Sequence, residues 1–250
     1  MAAVEHFLDT IETIGEGYGF PLFGARHLIT LAVFLAFTAG SCILYGRADK
    51  AGRGKMRKLF AILLLADELF KHICLFAGGN FNWTYLPLHL CSINIFLIAV
   101  HAWRPNKTLD NYLYFICIPA AVAALLFPTW TSLPAANFMF LHSTSVHILL
   151  ACYPVMLFSA GDIRPEMKAL GRCVLLLVCM AVPIVAVNLL LDTNFMFLMY
   201  APSGNPLAWF AQHCGSHLIG FPVLLAAVCG VMDLPLLLRR MRSRAARRAG

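Results

Sequence analysis

Residues 39–63 read AGSCILYGRADKAGRGKMRKLFAIL. An uncharged run ends at Arg47, six cations follow within twelve residues, and an apolar run resumes at Leu59. The six are Arg47, Lys50, Arg53, Lys55, Arg57 and Lys58. The same interruption recurs at Arg104 and Lys107, then at Arg164, Lys168 and Arg172. It recurs last at Arg239, Arg240, Arg242, Arg244, Arg247 and Arg248. Of 19 Lys and Arg, only Arg26 and Lys71 fall outside these four clusters. Cations gathered at the ends of long apolar runs mark the cytoplasmic loops of a membrane protein.

The composition agrees. The chain has 250 residues, 60% hydrophobic and 12% charged, where a soluble domain carries about 25% charged residues. That excludes the ordinary soluble classes and implies a polytopic membrane protein. The net charge of +7 does not imply nucleic acid as a partner, because the basic residues flank apolar runs and lack interleaved aromatics. Anionic lipid headgroups are their expected partners. The nine cysteines form no CxxC pair and fall mostly inside apolar runs, so they read as small packing residues and not as a disulfide framework. Glu5, Asp9, Glu12 and Glu16 near the start are the reverse of a basic leader segment, so no cleavable signal peptide is expected.

Seven runs approach the ~20 residues that a spanning helix requires, at about 27–46, 57–77, 86–103, 111–128, 137–158, 170–191 and 216–238. They are too long and continuous for barrel strands. The expected architecture is therefore all-α: one domain over 1–250, a bundle of seven transmembrane helices. Every basic cluster falls in an alternate loop, which puts the N-terminus outside and the C-terminus inside. Residues 1–26 read as an extracytoplasmic amphipathic segment, with Val4, Phe7, Leu8, Ile11 and Ile14 at helical spacing. Residues 239–250 form a basic cytoplasmic tail. The expected location is the cell membrane.

Polar groups inside spans are costly and tend to face the protein interior. Here they gather toward the outer half. Helix 2 carries Asp67, Glu68, Lys71 and His72, whose spacing suggests Asp67–Lys71 and Glu68–His72 pairs. Helix 3 opens with Leu86-Pro87-Leu88-His89-Leu90-Cys91-Ser92. Proline suits a helix start, which puts Cys91 about five residues in, or ~7 Å below the helix start. Asn94 shares its face, whereas His89 points away from it. Helix 5 carries His142 and His147, the latter ~14 Å from the outer end. Asn188 and Asp192 close helix 6 on one face. Asn194-Phe195-Met196-Phe197-Leu198-Met199-Tyr200 then runs along the outer interface, with its aromatics at headgroup level. His213 and His217 lie at i,i+4, a metal-ligand spacing, but no third ligand is evident and neither metal nor cofactor is expected.

A cysteine within reach of an imidazole is a nucleophile–base arrangement, and Cys91 and His147 both fall in the outer half. The same polar groups would also suit a proton-linked transporter or a small-molecule-binding membrane protein, built on the helix 2 acids and the outer histidines.

LPLHLCS at 86–92, the His147 segment with Pro154, and the Asn194–Leu198 stretch with Asn205-Pro206-Leu207 resemble YwaF-type integral membrane proteins. Those in turn resemble the transmembrane-164 acyltransferase family, and the likeness runs from helix 1 to helix 7. The resemblance implies that Cys91 carries an acyl group as a thioester and that His147, or alternatively His142, is its partner. It implies transfer of a fatty acyl chain between phospholipid and lysophospholipid, with membrane lipids as substrates. A lipid hydrolase is the variant in which water replaces the lysolipid. Glu68, His72, His89, Asn94, His142, Asn188 and Asn194 are then the expected supporting or substrate-binding residues.

Overall fold

The structure, a computed structural model, describes residues 5–202 and 205–249, without the side chains of 239–249. Those described residues are helical with no strand. The elements are α1 (Ala25–Arg47), α2 (Lys50–Ala77), α3 (Leu90–Trp103), α4 (Lys107–Leu126), α5 (Phe138–Ser159), α6 (Leu170–Leu191), α7 (Pro206–Cys214) and α8 (Gly220–Ala249). Short side chains set half of these starts, those of α2, α4, α5 and α7. Asp49 accepts the Gly52 N–H, Asn106 the Leu109 N–H, and Asn205 the Leu207 N–H. Each satisfies a donor that the first turn cannot pair internally.

Among the described residues six helices are long and apolar enough to cross a membrane: α1, α3 with the 3-10 turn at Trp83–Tyr85, α4, α5, α6 and α8. The 28-residue α2 is comparable in length, but Asp67, Glu68 and Lys71 interrupt its apolar stretch. α5 is the axis of the bundle. Of its apolar window 78% is buried, against 11% in α1, α6 and α8. It packs on α1, α2, α3 and α4. The outer helices display Leu28, Ile29, Val33 and Leu35 of α1 and Leu175, Val178, Val182 and Leu190 of α6. So continuous an exposed apolar surface suits lipid and not water.

Two polar ties hold the core together. His101, fully buried, donates from Nε2 to Asp110 Oδ1 at 2.8 Å, and its Nδ1 accepts from the Tyr153 hydroxyl at 2.8 Å, which joins α3, α4 and α5. His27 Nδ1 accepts the Phe23 N–H, and its Nε2–H reaches Leu125 O at 2.8 Å, which joins α1 to α4. Within α4, residues Leu113–Cys117 form a π turn. Pro119 follows two residues later; it has no N–H, and its ring would collide with the Phe115 carbonyl in a regular helix. A wider turn relieves that conflict.

The basic loops meet at one end. Arg53 binds Asp162 beyond α5, and the Glu166 N–H donates to Asn111 Oδ1 at 2.8 Å. The opposite end is closed by residues 6–24, which form turns in place of the expected amphipathic helix; Val4 lies outside the described residues. Asn137 Nδ2 donates to the carbonyls of His6 and Asp9, both at 2.8 Å, and Asn80 Nδ2 to that of Leu8. These bonds need backbone carbonyls that a helix would consume. Phe7, Leu8, Ile14 and Phe20 then face inward, onto Trp130 and Phe138.

Candidate active site

The acids of α2 lie at that second end, among histidines of α5. Glu68 is 5% exposed and is the hub. Its Oε1 accepts from Lys71 Nζ at 2.5 Å and lies 3.6 Å from His72 Nδ1. Its Oε2 lies 3.5 Å from Ser92 Oγ on α3 and 3.8 Å from His142 Nε2 on α5. Asp67 turns the other way and accepts from Ser145 Oγ at 2.9 Å, with His142 Nδ1 3.5 Å away. Thus Lys71 pairs with Glu68 and not with Asp67 as its spacing suggested, because Asp67 faces α5. His72 donates from Nδ1 to the Glu68 carbonyl at 2.9 Å. Two carboxylates, one ammonium and two imidazoles share this junction of α2, α3 and α5.

Cys91 lies one residue from Ser92. α3 begins at Leu90, with His89 extended at the N-cap (ψ 153°), so Cys91 is the second helical residue and not the fifth or so expected. The expectation failed because the proline does not start the helix. Leu86–Leu88 form a tight turn, with the Leu88 N–H donating to Leu86 O at 2.7 Å. His89 offers α3 no side-chain cap. Its Nδ1 instead faces the Met196 N–H at 3.4 Å, and its ring packs edge-on against Phe195.

That contact brings LPLHLCS against the stretch beginning at Asn194, although about a hundred residues separate them. Asn188, 1% exposed, binds the backbone of this stretch: its Oδ1 accepts from the Phe195 N–H at 2.8 Å and from Thr193 Oγ1, and its Nδ2 donates to Phe195 O. Asn194 does the same for Met199 and Tyr200. Both amides therefore shape a loop and have little capacity left for a ligand. Met196 and Phe197 have φ of 57° and 56°, a left-handed conformation that costs bulky residues energy unless the surroundings enforce it. Phe195 is fully buried beside Leu86, Leu88 and Leu90, whereas Tyr200 of the same stretch is exposed.

Cys91 packs against the main core, which includes Val146 and Leu150 on either side of His147. The His147 Nδ1–H donates to Ser143 O at 2.6 Å, so its neutral ring carries the lone pair on Nε2. Trp130 stacks on that ring at 5.2 Å. Nothing in the sequence separated Trp130 from an interfacial anchor, and Ser145 had no signal beyond its polarity. Asn94, 1% exposed, has no hydrogen-bond partner at either Oδ1 or Nδ2. Among the described residues no group of three or more His, Cys, Asp or Glu is arranged to hold a metal. His213 and His217 share no helix face: Gly215, with φ 76°, ends α7 between them.

An all-helical bundle with six such apolar helices is a multi-pass membrane protein. The model of the TMEM164 family matches residues 22–233, and the chain belongs to that family. No curated protein and no solved structure matches it significantly.

Proposed function

We propose that this protein is a membrane-embedded acyltransferase that moves a fatty acyl chain between phospholipid and lysophospholipid through a thioester on Cys91. The observation that carries this reading is the uncapped first turn of α3. It holds Cys91 at the positive end of a helix, where charge developing on sulfur or on an ester oxygen meets N–H dipoles. The unpartnered amide of Asn94 adds a donor on the same helix.

The steps balance with His147 as the base. Its Nε2 takes the Cys91 thiol proton, and the sulfur attacks the ester carbonyl of a phospholipid. The tetrahedral adduct collapses, and the departing lysophospholipid oxygen recovers that proton from the imidazolium. A second lysophospholipid then gives its hydroxyl proton to Nε2, attacks the thioester and releases the thiol. Water in place of this acceptor gives hydrolysis. His142 is less suited to the role, since both of its nitrogens face acids of α2.

The basic ends of α1–α2, α3–α4, α5–α6 and α8 support an orientation with the N-terminus outside and the C-terminus inside. On this reading α2 is a seventh span, because the Glu68–Lys71 pair and His142 neutralise its charges within the bundle. The protein then resides in the cell membrane and works from the outer leaflet. Intact-protein mass spectrometry of the protein purified in lipid should reveal an adduct of acyl mass on Cys91, absent from Cys91→Ala. Lipid turnover undiminished in Cys91→Ala would end the thioester reading.

The α2 acids favour one second reading, proton-linked transport. It requires transport that survives Cys91→Ala and fails in Glu68→Gln.

A further inference from the structure

The end of the bundle remote from Cys91 holds a cavity of about 400 Å³ at the α1–α2 corner, lined by Ala48, Lys50, Arg53, Arg57 and Asp162. That volume lies within the ordinary range of ligand sites. Its wall is rigid. The Arg53 Nη1 donates to Asp162 Oδ1 at 2.6 Å, its Nε to Ala48 O and its Nη2 to Gly46 O, both at 3.2 Å. The guanidinium lies over the Tyr45 ring at 5.4 Å, and the Tyr45 hydroxyl donates to Asp162 Oδ2 at 2.7 Å. Gly161, with φ 79°, ends α5 in the left-handed turn that delivers Asp162 to this site. All three acceptors and the ring fix Arg53 before any ligand arrives.

Two cations are left over. Arg57 lines the cavity and forms no ion pair among the described residues; its Nε is shielded from water, so Nη1 and Nη2 are the donors it can offer a ligand. Lys50 is exposed at the first position of α2. Three cations against one carboxylate leave a charge of +2 around the cavity, which matches a doubly ionised phosphate. The cavity adjoins Arg47, where the apolar run of α1 ends, so it opens at the level where lipid phosphates lie.

We propose that this cavity is a phosphate-monoester site, with Lys50 and Arg57 as its ligand-contacting residues and Arg53 as its fixed wall. The same chemistry is offered by the headgroup of a phosphatidate-type lipid and by free phosphate. It is separate from the reacting end and does not depend on the acyltransferase reading.

The test titrates the full-length protein in neutral detergent with dioctanoyl phosphatidate, inorganic phosphate and dioctanoyl phosphatidylcholine, read by native mass spectrometry or calorimetry. Phosphatidate should bind, and Lys50→Gln and Arg57→Gln should each weaken it about tenfold, the loss expected for a charged hydrogen bond. Phosphatidate binding much tighter than phosphate identifies the lipid as the source, and equal binding identifies free phosphate; both support the site. Phosphatidylcholine should not compete. Binding unchanged in both variants, or no binding of either phosphate, overturns the proposal. Should Arg57→Gln fail to fold, Lys50→Gln decides alone, since Lys50 is exposed. Because inorganic phosphate cannot occupy an acyl site, its arm separates failure here from failure of the thioester reading.

Discussion

Consider Glu68→Gln. The Glu68 carboxylate and the Lys71 ammonium are 2.5 Å apart with side chains 7% exposed. The substitution leaves an acceptor but removes the charge, so Lys71 becomes a buried cation with no counterion. Breaking such a pair from one side costs about 3–5 kcal/mol, and the lower end applies because glutamine can still accept from Lys71. Lys71→Met should cost less, on the order of 1–2 kcal/mol. Glu68 would keep His72 Nδ1 at 3.6 Å and His142 Nε2 at 3.8 Å as polar neighbours. The double variant removes both charges and should be more stable than the two losses together imply, by about 2 kcal/mol. The assay is thermal unfolding in detergent followed by tryptophan fluorescence. A loss of ~3 kcal/mol would lower the midpoint by roughly 6–12 °C for a chain of this length. Losses additive within ~0.5 kcal/mol would mean that the two groups do not interact, and the account of the α2 junction would be wrong.

Other outcomes follow from the same geometry. His147→Ala should cut lipid turnover at least ~100-fold, the effect of losing a general base, and should also lower the unfolding temperature, because the buried ring stacks on Trp130. His142→Ala should mainly destabilise, because it strips partners from Asp67 and Glu68; equal kinetic losses in both variants would leave the base unassigned. Asn188→Ala removes three hydrogen bonds to residues 193–195 and should cost roughly 3 kcal/mol, with faster amide exchange confined to about 193–200. Single cysteines at Glu16 and Ala245, introduced into a cysteine-free background, should react with an impermeant maleimide from opposite faces of sealed vesicles. Labelling of Glu16 from the cytoplasmic face would reverse the proposed orientation.

The bundle was legible because its two signals are one-dimensional. Apolar length and cation position need no knowledge of partners, and α1, α5 and α6 begin and end within two residues of where those signals put them. The start of α3 was not legible. His89 gives its ring to Met196, and no local pattern announces a cap that has been diverted to a residue far along the chain. The N-terminal segment misled for a related reason. Its apolar spacing fits a helix, yet its carbonyls are claimed by Asn80 and Asn137. The ingredients of the candidate site were visible as residue types at one depth. Which acid meets which base was not, since Asp67 and Glu68 are adjacent in sequence and point to different neighbours.

The π turn in α4 acts as a phase adjuster between two docking halves. The segment before it presents Asp110 to His101, while Cys117 at its end points its thiol to Leu150 O at 3.5 Å. Wound as an even α-helix, the same five residues would turn Lys107–Tyr112 by ~100° relative to Ile118–Leu126 and push it out by ~1.5 Å. Asp110 would then swing off His101, and the tie through Tyr153 to the central helix would lose its anion. A uniform helix of this sequence can mesh with α3 or with α5; the widened turn lets it mesh with both.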